Sequence, residues 1–304
     1  MMNKLLIGIA LMAYILIPVS MALRSWFLYR GMNLKISLPV LSEILMIVSA
    51  ANVIAPFRAA GLVIRTYILK KTYSFPHKIN LTITGIEQLF DLVAQIIVAV
   101  LCIYLVGFNI EMDIKFKIII AFLAFLMLVI LWFWKGLGNF CYKIMEIFEK
   151  RLPKRLIKFL KEKTKIKKRH VVELIKSIQN NKNKWFMILG LSFSTILVYF
   201  NFTIAFWLFA KGMSISLNLT QVIIIFWLPM FLGRVSGIPG GFGVREASMI
   251  YLMNLMGFSS MDATSLTISF RISTIIIIIV MGILLGTKYG INIFKPDRIK
   301  KENE

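Results

Sequence analysis

The sequence is poor in the residues that build metal centres and nucleophilic active sites. Its 304 residues include two cysteines and two histidines, and Asp and Glu together number 14 against 36 Lys and Arg. Cys102 and Cys141 are isolated, which gives neither a disulfide framework nor metal-ligand spacing. His77 and His170 both lie in basic, solvated stretches. No cofactor, metal site or catalytic residue is therefore expected, and the missing G-x-x-x-x-G-K-[ST] excludes an ATPase-type phosphate loop. Segments of about ten residues alternating apolar and polar are also absent, which excludes a transmembrane barrel.

Apolar length is what the chain has in excess. It is 59% hydrophobic with a mean hydropathy of +0.80. Runs such as 81–106 and 263–286 are longer than the roughly 18 residues that mark a membrane span, and they are rich in Ile, Leu and Val. The fold expected is all-α, a polytopic helical membrane protein with about six to eight membrane segments. Met1–Ala22 carries a lysine and then an apolar run without a small-residue cleavage site, so it reads as a retained membrane helix.

The net charge of +22 is not a nucleic-acid signal once its location is considered. Sixteen Lys and Arg fall in 135–184 and five follow Thr287, in blocks that flank membrane segments. The positive-inside bias and attraction to an anionic leaflet account for both, with no nucleic-acid partner. Ile144, Phe148, Leu152, Leu156, Phe159 and Leu160 recur at helical spacing within the first block. That pattern fits an amphipathic helix on the leaflet or an ordinary solvated hairpin.

Apolar segments fall at about 5–23, 38–55, 81–106, 117–134, 185–210, 219–238, 243–256 and 264–286. Trp26-Phe-Leu-Tyr-Arg-Gly-Met lies against Trp207-Leu-Phe-Ala-Lys-Gly-Met at an offset of 181, Leu81-Thr-Ile against Leu266-Thr-Ile, and Pro56 against Pro239. The chain thus divides into a single membrane domain, 1–290, and a basic cytoplasmic tail, 287–304. Within the domain are repeat one (5–106), a connecting helix (117–134), a basic cytoplasmic linker (135–184) and repeat two (185–286). Each repeat reads as a spanning helix, an interrupted pair that is re-entrant or broken, and a second spanning helix.

One connecting span would invert the second repeat relative to the first. The charge distribution agrees: eight Lys or Arg lie between Arg24 and Lys78 and three between Lys211 and Ala263. The first interrupted pair then opens to the cytoplasm and the second to the outside. The alternative threading takes all eight segments across, with both termini inside.

The interruptions are where chemistry concentrates. Pro239, Gly240, Gly241 and Gly243 break the helix and free peptide groups, which within a bilayer must be buried in protein or line a wet cavity. Arg245 and Glu246 open the next helix, where N–H groups favour an anion such as a phosphate headgroup; the alternative is a kink whose Arg-Glu pair neutralises itself. Pro56 and Gly61 mark the related stretch, with Arg58 and Arg65 seven apart on one face, able to clamp a phosphate or to snorkel. Arg234 is a further headgroup candidate.

Glu87 and Asp91 share a helix face within an apolar run, and Arg271 answers Glu87 in the second repeat. A Glu87–Arg271 salt bridge at mid-membrane is expected, with proton coupling through the two carboxylates as the alternative. Asn52, Tyr199 and Asn201 are expected to make hydrogen bonds between helices.

Pro56-x-Arg58-x-x-Gly61-x-x-x-Arg65, Glu87-x-x-x-Asp91, Pro239-Gly-Gly-x-Gly-x-Arg-Glu-Ala247 and Arg271 together resemble the membrane domain of the lysylphosphatidylglycerol synthase family, over about residues 5–290. Leu62 stands where the resemblance would put an acid. The resemblance implies a flippase-like protein of the cytoplasmic membrane that moves a phospholipid, glycolipid or polyprenyl-phosphate lipid. Bifunctional relatives carry an aminoacyltransferase domain after this region, and lysyl transfer is not expected of a chain read here to Glu304. A membrane enzyme or accessory subunit in cell-envelope lipid or glycan synthesis, using Glu87, Asp91 and Glu246, is the alternative, and a scaffold recruiting a partner through its basic linker is a third.

Overall fold

In the computed structural model, residues 3–54, 59–109 and 183–290 are described. Pro56 and Arg58, the connecting segment 117–134, nearly all of the basic linker 135–184 and the tail beyond Gly290 lie outside them. The first half holds α1 (Lys4–Gly31), α2 (Leu38–Ile54), α3 (Ala59–Tyr73) and α4 (His77–Asn109). The second holds α5 (Lys184–Gly212), α6 (Leu219–Val235), a 3-10 turn (Pro239–Gly241), α7 (Val244–Leu255) and α8 (Ser260–Lys288). There is no strand among the described residues.

Helices α1, α5, α8 and the Ile79–Cys102 part of α4 are long and apolar enough to cross a bilayer. The other four run to 17, 15, 17 and 12 residues. At 1.5 Å per residue even the longest of these reaches only about 25 Å, short of a hydrocarbon core of about 30 Å. The chain is a multi-pass, all-α membrane protein.

Local sequence sets the helix ends. The Asn3 side chain accepts from the N–H groups of Leu5 and Leu6 at 3.1 and 3.2 Å, Asn218 and Gln221 form a capping box, and Ser259 accepts from Asp262 N–H at 3.0 Å. Helix α1 does not end near residue 23, where the apolar segment expected from the sequence stops. It continues to Gly31, because Arg24 and Ser25 turn into the protein and find partners there. Charge ended the apolar run without ending the helix.

The halves keep the same plan at a constant spacing. Helices α2 and α6 are both 17 residues long and lie 181 positions apart, and α1 and α5 end at Gly31 and Gly212 with that same separation. Asn33 and Ser214, also equivalent, take left-handed φ values of 60° and 64° in the turns that follow. Arg30 lies over the Trp26 ring at 5.1 Å, and its counterpart Lys211 lies over Trp207 at 5.5 Å. The repetition read in the sequence therefore extends to caps, turns and ring contacts.

Helices α1 and α5 pack against each other antiparallel along their whole length. Asn3 N–H donates to Gly212 O at 2.7 Å at one end, and Gly31 meets Met187 at the other. Between them the Asn201 amide donates to Ser20 Oγ at 2.7 Å, joining positions that are themselves 181 apart. Glycine is required for this approach, since a Cβ on Gly190 would lie 2.2 Å from the Phe27 ring. Two further packings cross between halves, α8 on α2 and α4 on α6, while within the halves α2 packs on α1 and α3, α6 on α7, α3 beside α4 and α7 beside α8.

Two cores result. The first is aliphatic, with Leu41, Ile44, Ile47, Ile64, Ile68 and Ile83 buried among α2, α3 and α4. The second is aromatic: Phe206, Phe209, Phe226 and Phe270 pack at centroid distances of 5.2 to 6.0 Å. Edge-on ring packing adds to the area buried.

Candidate functional site

The second interruption is held open by glycine and closed by one arginine. Gly240, Gly241 and Gly243 take φ of 60°, 68° and 81°, angles that other residues adopt only at a cost. A Cβ on Gly241 would lie 3.1 Å from the Gly233 Cα of α6. Arg271, from α8, donates through Nη2 to Gly240 O at 2.9 Å and through Nε to Glu246, and its guanidinium lies 5.2 Å from the Phe242 ring centroid. Glu246 also accepts from Gly243 N–H at 2.7 Å. Arg271 and Glu246 thus bind both sides of the turn, which satisfies backbone groups the break has released.

The first half has a matching pair with its charges exchanged. Gly61 N–H donates to the Asn52 side chain at 3.1 Å, closing α2 onto α3. Arg65 of α3 donates to Glu87 of α4 at 2.5 and 3.2 Å, Ser25 of α1 donates to the same carboxylate at 2.5 Å, and Tyr29 lies under the guanidinium. Arg65 and Glu246 are 181 positions apart and Glu87 and Arg271 are 184 apart, close to the 183 that separates the starts of α4 and α8. Each half therefore ties its short third helix to its long fourth helix by one ion pair, Arg-to-Glu in the first and Glu-to-Arg in the second.

The Glu87–Arg271 salt bridge expected from the sequence does not form. Contacts between halves run α4 to α6 and α8 to α2, so the fourth helices do not face each other and each charge pairs within its own half. In the second half Glu246 pairs with Arg271, and the Arg245 guanidinium lies 5.5 Å from the Phe226 ring centroid. Arg65, read as a headgroup clamp with Arg58, faces protein, since its guanidinium is committed to Glu87.

A second ionic cluster has no counterpart among the described residues of the other half. Arg24 of α1 forms an ion pair with Asp91 of α4, and Arg234, at the end of α6, donates to the other Asp91 oxygen at 3.5 Å. Arg24 and Asp91 are buried, while the Arg234 side chain keeps 20% of its surface. Sequence reasoning missed Arg24 and Ser25. Their signal was an arginine followed by Trp26-Phe-Leu-Tyr29, an apolar run too long to be a loop.

Five arginines (Arg24, Arg65, Arg234, Arg245, Arg271) and three carboxylates (Glu87, Asp91, Glu246) thus gather among the apolar helices of the described residues. Buried charge there is costly, and an excess of guanidinium favours an anion. At the end of α8 Lys288 donates to both Glu43 oxygens at 2.8 Å, and Tyr289 donates to Glu43 at 2.7 Å. Burial first, and then this bond, push the Tyr289 phenol up.

No curated protein and no solved structure matches the chain. A family model described as the lysylphosphatidylglycerol synthase TM region matches residues 1–282, which is nearly the whole chain, and its membrane character agrees with the long apolar helices described above: the protein belongs to that family.

Proposed function

We propose that the chain moves a phosphate-bearing lipid or glycolipid across the cytoplasmic membrane, its two halves acting as inverted duplicates with α2–α3 and α6–α7 as re-entrant pairs. The observation that carries this reading is the excess of arginine over carboxylate beside a glycine turn at the meeting of the halves. A headgroup phosphate supplies the missing negative charge, and the acyl chains stay in the bilayer. Family membership supports a lipid-related role.

The antiparallel contact of α1 and α5 supports the inverted threading. If all eight segments crossed with both termini inside, these two helices would run in the same direction. The short α2, α3, α6 and α7 fit pairs that enter and leave on one side. In this threading the N-terminus lies outside and the basic linker inside.

Transport fits the site better than catalysis, because Glu87, Asp91 and Glu246 all accept from arginines and none is poised as a general base. The test uses purified protein in liposomes carrying fluorescent phosphatidylglycerol or a fluorescent polyprenyl phosphate, with an impermeant quencher outside. Protein should accelerate loss of the inner-leaflet signal for at least one of these lipids. Rates equal to those of empty liposomes for both would refute the proposal.

A further inference from the structure

The Asp91–Arg234 contact differs in kind from the other interior ion pairs. Arg65–Glu87, Arg271–Glu246 and Arg24–Asp91 each join helices of one half, whereas Asp91–Arg234 joins α4 of the first half to α6 of the second. It is also the loosest of them. Arg24 binds Asp91 Oδ1 tightly, and the second oxygen, Oδ2, receives long contacts of 3.5 Å from Arg24 and from Arg234.

Exposure separates the two arginines that share this carboxylate. The Arg24 side chain is 3% exposed and cannot meet a ligand without unfolding its surroundings. The Arg234 side chain is 20% exposed and leaves α6 one position after Gly233, where the backbone of the glycine turn approaches most closely. Two guanidinium groups thus share this carboxylate, and the one held more loosely is also the more accessible.

We propose that Asp91 is the resting counter-ion of Arg234 and that a lipid headgroup phosphate replaces it there. Arg24 acts as a positioning residue: it holds Asp91 in place, so the carboxylate stays satisfied when Arg234 turns to the headgroup. The exchange removes the charge contact between α4 and α6, and binding thereby loosens one of the surfaces on which the halves meet. This inference rests on the lipid-transport reading and deepens it by naming the residue that takes the phosphate and the one that yields.

Binding can be tested separately from movement. The probes are water-soluble dihexanoyl phosphatidic acid, dihexanoylglycerol, which lacks the phosphate, and inorganic phosphate, titrated into purified wild type, Arg234→Gln and the double variant Arg24→Met/Asp91→Asn. The double variant removes the counter-ion without stranding Arg24. It should bind phosphatidic acid about tenfold more tightly than wild type, and Arg234→Gln about tenfold more weakly or worse. Equal affinities in all three proteins would overturn the proposal, and inorganic phosphate binding as tightly as the lipid would overturn the lipid assignment.

A measurement on the unaltered protein guards against variants that fail to fold. Phenylglyoxal labelling of Arg234, read by peptide mass spectrometry, should slow severalfold with phosphatidic acid and not with dihexanoylglycerol. Labelling unaffected by both would contradict the proposal. A wild type that binds as expected and yet moves no lipid would count against the transport reading and leave the exchange standing.

Discussion

The two halves share a backbone plan and fill it differently. Where the first half buries Arg24, Ser25 and Tyr29, the equivalent positions of the second hold Ala205, Phe206 and Ala210. The first half answers these polar groups with Asn80, Glu87 and Asp91 from α4. The second replaces them with the ring cluster of Phe206, Phe226 and Phe270. One backbone plan thus carries buried charges beside an aliphatic core in the first half and a ring cluster in the second. The shared plan comes from helix lengths, caps and turns, and the difference comes from a few side chains facing inward.

The ion pairs sharpen this comparison. Arg65 and Glu87 are 2% and 5% exposed, against 11% and 19% for Arg271 and Glu246. The first pair is sealed and the second borders a turn. Removing one partner of a sealed pair leaves a charge stranded in the membrane, so Glu87→Gln should cost about 3–5 kcal/mol or prevent folding. Thermal unfolding of purified protein checks this, and the double reversal Arg65→Glu/Glu87→Arg should recover much of the loss. No recovery would mean that the pair is not the source of the cost.

Glu246→Gln should do less harm to stability, about 1–2 kcal/mol, because its partner is partly solvated and also holds Gly240 O. Its larger expected effect is on the turn: hydrogen exchange of the Gly240–Gly243 amides should rise, with the first half unchanged. Gly241→Ala strains a φ of 68° against the Gly233 backbone and should cost about 1–2 kcal/mol. Lys288→Met breaks the more exposed bridge to Glu43 and should shift stability by less than about 1 kcal/mol. If this last change proved as harmful as Glu87→Gln, burial would not be what distinguishes these pairs.

Much of the architecture was legible in the sequence. Apolar length gave the membrane class, and the 181-residue offset between Trp26 and Trp207 is also the spacing between α2 and α6. Gly31 and Gly212 fell in register because both end a long helix. The charge partners were harder to read. Pairing Glu87 with Arg271 assumed that every helix meets its equivalent, which holds for α1 and α5, whereas α4 and α8 each pack on the other half's second helix. Local sequence carries no record of which helix crosses to which half. Arg24 was lost for a related reason, since composition alone makes an arginine look like the end of a membrane helix.

The most direct test of the account compares initial rates of phosphatidylglycerol movement for wild type and Arg234→Gln, at equal incorporation in liposomes and with similar melting temperatures. The account predicts that the variant moves the lipid about tenfold more slowly or worse, because Arg234 is the accessible cation where the halves meet. Equal rates would contradict it and leave the interior arginines as parts of the scaffold alone.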